Sequence, residues 1–598
     1  MPVATQPWLE ICGIIVLLGL TVFFLATSWR KWPDALIDFG NNLYTAWRLA
    51  NGAVLYRDVD VDYGPLSQYL NGALFRVFGP GMMILVVENL IVFGAIVSIL
   101  YLLFRRAWGV TAAFAASAIF ISVFGFSQLV IFGNYNYATP YSTETTLGLL
   151  ICLLLILVLT GHVRMVTPGS GVLAGFLFGL TALLKPEIML AAGLTTLAAA
   201  LANWRYRSGS IRVAAFWIIG AVIPTLGFAV YFAISLDSKN ALAAACHGWL
   251  GTARLGNDAV QMSFLGFDRP WEHLQQHLFA VFMACVFIGV IAGAAWLANR
   301  TTRQWQVVLA GGFLVVAMAW ASCFMIFWRE IGRCLLGLTG IYLIICAATL
   351  GRTKAEKNRE LHVTRLLICV LAAALLSRMV INGRIYQYGY YQAAVAAVLV
   401  PAVLIGEMPG WLDVGRKGAA IILIGCVCLF LPGVVILAAS SQKRLQAKTA
   451  AVGEDRDRFY AFPRQVDAKG EIVDAVTKVL RTLPDKGSLL VLPEGAMINY
   501  LARLPSPVAK LYFYAGVMAN GGEARIVRQL QEHPPDLVLI ISRDLREYGI
   551  RRYGESPGSG EEIVQWVQRN YEELGHVGGD PFDFNQRGGI VFSRKTGQ

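Results

Sequence analysis

The chain has 598 residues, 56% of them hydrophobic and 15% charged, with a mean hydropathy of +0.57. That balance excludes an ordinary soluble domain, in which about a quarter of residues are charged. The net charge of +12 does not point to nucleic acid, because Lys and Arg lie in short segments between apolar runs, as the positive-inside rule expects.

Apolar runs predict membrane-spanning helices near 8–27, 82–104, 110–132, 144–160, 171–184, 187–202, 213–236, 278–298, 305–327, 334–350, 365–381, 391–406 and 418–439. A helix needs ~20 such residues to cross a bilayer, and barrel strands would alternate instead. The fold class is therefore a polytopic α-helical membrane protein of about 13 transmembrane helices. Trp8 to Thr27 has no basic residue before it and is expected to stay as a first span rather than be cleaved. With a cytoplasmic N-terminus, the inside segments include Arg105-Arg106, Arg300 to Arg303 and the basic stretch 351–365. The long loops 28–81 and 237–277 then lie outside, as does the chain after about 440. Most of the ten cysteines sit within apolar runs and none forms a CxxC pair, so no disulfide or zinc framework is expected.

The composition changes after residue 440, giving two expected domains: 1–440 in the membrane, with 28–81 as its first outer loop, and 441–598 as an extracytoplasmic α/β domain. SLLVLP (488–493), DLVLIIS (536–542) and GGIVFSR (588–594) read as buried strands, and 470–482, 522–532 and 560–573 as amphipathic helices. PEGAMINYL (493–501) is a distinctive strand-to-helix turn, to which no chemistry is assigned.

In the first outer loop, NLYTAWRLANG (42–52) places Leu43, Ala46, Trp47 and Ala50 on one face, the pattern of an interfacial helix closed by Gly52. Asp38 stands just before it. It suits a helix N-cap and equally a general base fixed beside the membrane. Downstream, LYRDVDVDYGPL (55–66) carries Asp58, Asp60 and Asp62 at alternate positions. Tyr63 and Tyr69 occupy the places where an EF-hand needs Gly and Glu, so a calcium loop is excluded. Alternation predicts an extended, solvated edge, with Val59 and Val61 opposite.

A first span, an acidic residue, the stretch DFGNNLYTAWRLANGAVLYRD and then GPL opening another helix together resemble the membrane-embedded glycosyltransferases of the C fold, relatives of the protein O-mannosyltransferases and aminoarabinose transferases. The resemblance spans roughly 8–440. It implies a glycosyltransferase in the cell envelope, at the outer face of a bacterial inner membrane. A sugar would move from a polyprenyl-phosphate donor to a glycan, lipid or protein acceptor, with inversion. Asp38 matches the family's catalytic carboxylate, but Phe39 replaces the second acid of many relatives, which leaves a divalent metal ion open as a cofactor. Glu144, in the loop before the fourth span, is the candidate for a metal or the acceptor. Arg57, Lys185, Arg329, Arg333 and Arg384, with Arg254, are candidate cations for the donor phosphate; Arg329 and Arg333 are spaced to share a helix face. Tyr388, in a tyrosine-rich loop, and His247 are candidates for contact with sugar or acceptor. The same residues also suit bland roles, as snorkelling cations, an aromatic belt or a structural histidine. Intramembrane Glu88 has no partner evident in the sequence. Two other readings of the chain are a transporter or flippase of lipid-linked glycans, which would need paired broken helices, and a scaffold presenting the outer domain. No zinc-protease or Walker A motif is present.

Overall fold

The computed structural model describes residues 7–164, 167–204, 211–249, 262–263, 265–352, 356–379, 381–386, 389–483, 487–514, 517–518, 521–583 and 586–595. Among them, ten helices are long and apolar enough to cross a membrane, from Pro7–Ser28 to Arg416–Gln446, and three shorter apolar helices accompany them. The chain is a polytopic helical membrane protein with a small C-terminal α/β unit. Proline sits at the first turn of several helices, including Pro65–Phe78, Pro168–Ala182 and Pro270–Arg300, where its missing N–H costs nothing.

The expected span 110–132 is interrupted. Val110–Ile119 runs into one π-helical stretch, Phe120–Gly125, and the chain then leaves the helix. The following loop is buried except at Ile131 and Phe132 and supplies its own hydrogen bonds. Asn136 Oδ1 accepts from the N–H groups of Ala138 and Thr139, at 3.0 and 2.7 Å, and the N–H of Tyr137 donates to Gly125 O at 2.9 Å. Irregular backbone persists in such a place because protein encloses it.

The helix Asp38–Ala50 also departs from expectation. Instead of lying on lipid, it is enclosed by protein, with Phe39, Leu43, Tyr44 and Ala46 buried. Helix Pro65–Phe78 covers one side and helix Ala496–Ala502 of the C-terminal unit another. Gly40 permits the second contact, since a Cβ there would stand 2.5 Å from the backbone nitrogen of Met497. Gly64 plays the same part nearby. It packs on the carbonyl of Leu183 and its N–H donates to Leu184 O at 2.8 Å.

The C-terminal unit begins with a small hairpin, β1 (Ala450–Val452) and β2 (Phe459–Ala461). Its main sheet contains β3 (Leu489–Leu492), β4 (Leu537–Ile541), β5 (Tyr571–Gly578) and β6 (Gly588–Arg594) in the order β3-β4-β6-β5. β3 and β4 are parallel and the other pairings antiparallel. Both faces of β3 and β4 are covered, which is why they read as unbroken apolar runs. Leu490, Leu492, Val538 and Ile540 pack under helices Gly522–Glu532 and Glu561–Asn570. Leu489, Val491, Leu537 and Leu539 join the helix Lys469–Thr482 in a core continuous with that of the membrane bundle. β5, polar and largely exposed, carries no apolar run and was not legible in the sequence.

Candidate active site

A cavity of about 2370 Å³ lies where the first loop, the bundle and the C-terminal unit meet. Asp38 lines it from the first turn of its helix. Its carboxylate does not cap that helix: Ile37 is the N-cap residue and makes no side-chain cap bond. The turn is held by Asp34, whose Oδ1 accepts from the N–H groups of Leu36 and Ile37 at 2.9 and 3.1 Å. Among the described residues no group hydrogen-bonds the Asp38 carboxylate. Burial, then the neighbouring carboxylates of Asp34 and Glu494, push its pKa up to about 8, against the pull of Arg543 and Lys469.

The groups around Asp38 are paired. Asp34 is buried, which favours its neutral form, yet Lys469 and the two N–H groups hold its pKa below the ordinary value. Lys469 Nζ lies 3.1 Å from Asp467 and 4.0 Å from Asp34. Glu494 accepts from Arg543 Nε at 2.5 Å and from the Tyr514 hydroxyl at 2.7 Å. Glu494 follows β3 by two residues and Arg543 follows β4 by two, so the carboxyl ends of two parallel strands supply this pair. That is where open α/β sheets present functional groups.

The aspartate triplet is not a solvated edge. Residues 55–59 form a tight turn, with Tyr56 at φ 68° and a bridge between Leu55 and Val59. Asp58 accepts from the N–H of Val54 at 2.7 Å and pairs with Arg57 at 2.8 Å. Asp60 and Asp62 face the C-terminal unit, where Lys510 Nζ reaches them at 3.0 and 3.3 Å and the Tyr512 hydroxyl donates to Asp62 at 2.8 Å. The N–H of Asp60 also donates to Ala509 O at 2.9 Å. Asp60 and Asp62 therefore strap the first loop to residues 509–512, while Asp58 closes the turn within the loop.

The remaining candidates divide. Arg57 and His247 line the cavity. His247 stacks on Tyr56 with ring centroids 4.1 Å apart, and its Nε2 is 3.8 Å from Asp60. Glu144 does not line the cavity. It is buried and takes hydrogen bonds from Ser67 (3.0 Å), Gln68 (2.6 Å) and Ser142 (2.8 Å). Lys185 is buried behind the lining residues Tyr63 and Tyr141, with Nζ 3.8 and 5.3 Å from their ring centroids and no hydrogen-bond partner among the described residues. Arg329, Arg333 and Arg384 lie outside the lining, where residues 328–333 meet 382–385. Arg329 bonds Ser440 at 3.3 Å, Arg333 pairs with Glu330, and Arg384 lies over Tyr386 at 5.8 Å. Arg329 and Arg333 do not share one α-helical face, because Trp328–Glu330 is a 3₁₀ turn and the helix starts at Gly332. Tyr388 and Arg254 fall outside the described residues. Among the described residues, one carboxylate oxygen of intramembrane Glu88 and the amide nitrogen of Asn89 beside it are buried without a hydrogen-bond partner.

The sequence reading missed Lys469, Glu494, Lys510, Arg543 and the Glu187–Arg378 ion pair on the cavity wall. The available signal was a charged residue two positions after each buried strand, in LLVLPE and LVLIISR. Among the described residues no three His, Cys, Asp or Glu side chains are grouped to hold a metal ion. Of the carboxylates nearest Asp38, Asp34 is held by backbone N–H groups and Glu494 by Arg543. This donor set does not fit a divalent cation.

The bundle, the enclosed first-loop helix and the C-terminal unit that seals it make up the fold of the membrane-embedded C-type glycosyltransferases. The comparison with solved structures shows likeness of fold. The oligosaccharyltransferase of Archaeoglobus fulgidus in complex with Zn and sulfate matches with a TM-score of 0.51 and 11% identity, over 97% of this chain and 73% of that one. Its form tethered to an acceptor peptide containing the NVT sequon matches with a TM-score of 0.50 and 12% identity, over 99% and 74%. ArnT from Cupriavidus metallidurans bound to undecaprenyl phosphate gives a TM-score of 0.46 and 12% identity, over 99% of each chain. No family model matches the sequence, and no curated protein does.

Proposed function

We propose that this protein is a glycosyltransferase that moves a sugar from a polyprenyl-phosphate donor to a glycan, lipid or protein hydroxyl, with inversion, at the outer face of a bacterial inner membrane. The observation that carries this reading is Asp38: an unengaged carboxylate of raised proton affinity, facing a cavity large enough for two substrates. The fold shared with the oligosaccharyltransferase supports it.

In the proposed reaction the acceptor oxygen attacks the anomeric carbon from the face opposite the phosphate. The new C–O bond forms as the bond to the phosphate oxygen breaks, and that oxygen keeps the electron pair. Asp38 takes the hydroxyl proton. A pKa near the working pH suits it to do so and then release the proton to water. The lipid tail keeps the donor phosphate near the membrane, where Arg57 and Arg378 are the lining cations that offset its growing charge. Lys185, Arg329, Arg333 and Arg384 remain candidates only if their surroundings move. Glu144 acts indirectly, by fixing Gln68 on the cavity wall.

The test is Asp38→Asn in proteoliposomes supplied with radiolabelled polyprenyl-phosphate sugars and a membrane extract as acceptor. Loss of transfer by ~10³-fold or more, with folding intact, is expected for a lost base that also orients the acceptor. Full transfer by the folded variant would remove Asp38 from the chemistry. Movement of labelled lipid across the bilayer without transfer would favour the flippase reading.

A further inference from the structure

The charges lining the cavity are unequally shared. The C-terminal unit contributes seven basic and four acidic side chains, and the membrane half two basic and five acidic. Ion pairs account for most of them: Lys469 with Asp34 and Asp467, Lys510 with Asp60 and Asp62, Arg543 with Glu494 and Glu547, Arg546 with Asp544, Arg378 with Glu187, and Arg57 with Asp58. Three lining charges have no ion-pair or hydrogen-bond partner for the charged group among the described residues. One is the Asp38 carboxylate, beside the bundle. The other two are the guanidinium groups of Arg464 and Arg525, both exposed on the C-terminal unit. Arg464 lies in the loop after β2, and Arg525 in the first turn of the helix Gly522–Glu532. Each projects from an element independent of the other.

Two uncommitted cations lining one cavity from the C-terminal unit attract an anion, and their position says which substrate brings it. A donor phosphate is tethered to the membrane by its lipid. A group that meets the C-terminal unit must extend away from the bundle, so it belongs to the acceptor. We propose that the acceptor is an anionic glycan, bound with its acidic groups against Arg464 and Arg525 while its reacting hydroxyl reaches Asp38. This rests on the transferase reading for the word acceptor, but the binding surface can be measured without turnover.

The probes are a sulfated dextran oligosaccharide and a neutral dextran of the same length, titrated against the full-length protein in phosphatidylcholine nanodiscs. The sulfated probe should bind at least ~10-fold tighter at low salt and lose most of that advantage near 0.5 M salt, where charges are screened beyond ~4 Å. The double variant R464E/R525E should abolish the preference, and R464Q/R525Q should reduce it. Both positions are exposed, so folding is retained. Asp38→Asn should bind the sulfated probe as the wild type does while losing transfer, which separates failure of the base from failure of the binding wall. Equal binding of the two dextrans, or a preference unchanged in R464E/R525E, overturns the proposal. So does loss of probe binding when phosphatidylglycerol replaces part of the nanodisc lipid, which would assign the two arginines to the membrane surface.

Discussion

Asp38→Asn should make the protein more stable as it makes it inactive, and the gain should depend on pH. The ordinary carboxyl pKa of 3.8 is pushed up to about 8 in the folded protein. The folded state therefore holds a proton that the unfolded chain releases from about pH 4 upward, so this group's contribution to stability is greatest below pH 4. It is lost progressively as pH rises to 8 and is level above that. Each unit is worth ~1.4 kcal/mol, which for a dry site gives ~6 kcal/mol over the window. Asp38 faces an open cavity, so roughly half applies, ~2–3 kcal/mol. Asparagine carries no such proton. Thermal unfolding of the full chain in detergent at pH 5, 7 and 9 should show the variant's advantage growing with pH, to several degrees at pH 9. Transfer by the wild type should rise about tenfold per unit below pH 8 and then level. An advantage that is constant with pH, or a variant less stable throughout, would refute the buried-carboxylate reasoning.

Glu494→Gln removes a charge that raises the Asp38 pKa, so the pH profile of transfer should shift to lower pH by about one unit; an unchanged profile would separate Glu494 from the base. Lys510→Ala leaves Asp60 and Asp62 facing each other without their cation. It should cost ~1–3 kcal/mol and speed proteolysis within 505–514, measured by timed digestion. Gly40→Val drives a side chain into the backbone of Met497 and should lower thermal stability by more than ~2 kcal/mol, whereas valine at the open Gly19 should change it little.

The spans were legible because length and apolarity alone define them, and the buried strands because both their faces are covered. The interruption after Gly125 was not: its residues are as apolar as any span up to Phe126, and only the Asn and Thr side chains of 134–139 make the loop feasible. Asp38 was legible by position, next to a helix that follows the first span. Its partners were not, because Glu494 and Arg543 lie more than 450 residues away and no local pattern connects them. The aspartate triplet misled for the same reason. Alternation describes one segment, whereas the contacts that decide its role come from Lys510 and Tyr512. The arginine pair 329 and 333 misled differently, since helical spacing was assumed across a turn.

β4 lies between β3 and β6 in the sheet, and that order bears on how the protein is made. Arg543 and Glu494 leave the ends of β4 and β3, and β4 has its second partner only when residues 588–594 have joined it. Every membrane helix precedes that strand in the chain. The charged wall beside Asp38 is thus the final part to close, so during biosynthesis a partly inserted chain holds a carboxylate but no finished pocket around it. On the transferase reading, activity would therefore require the chain through residue 594.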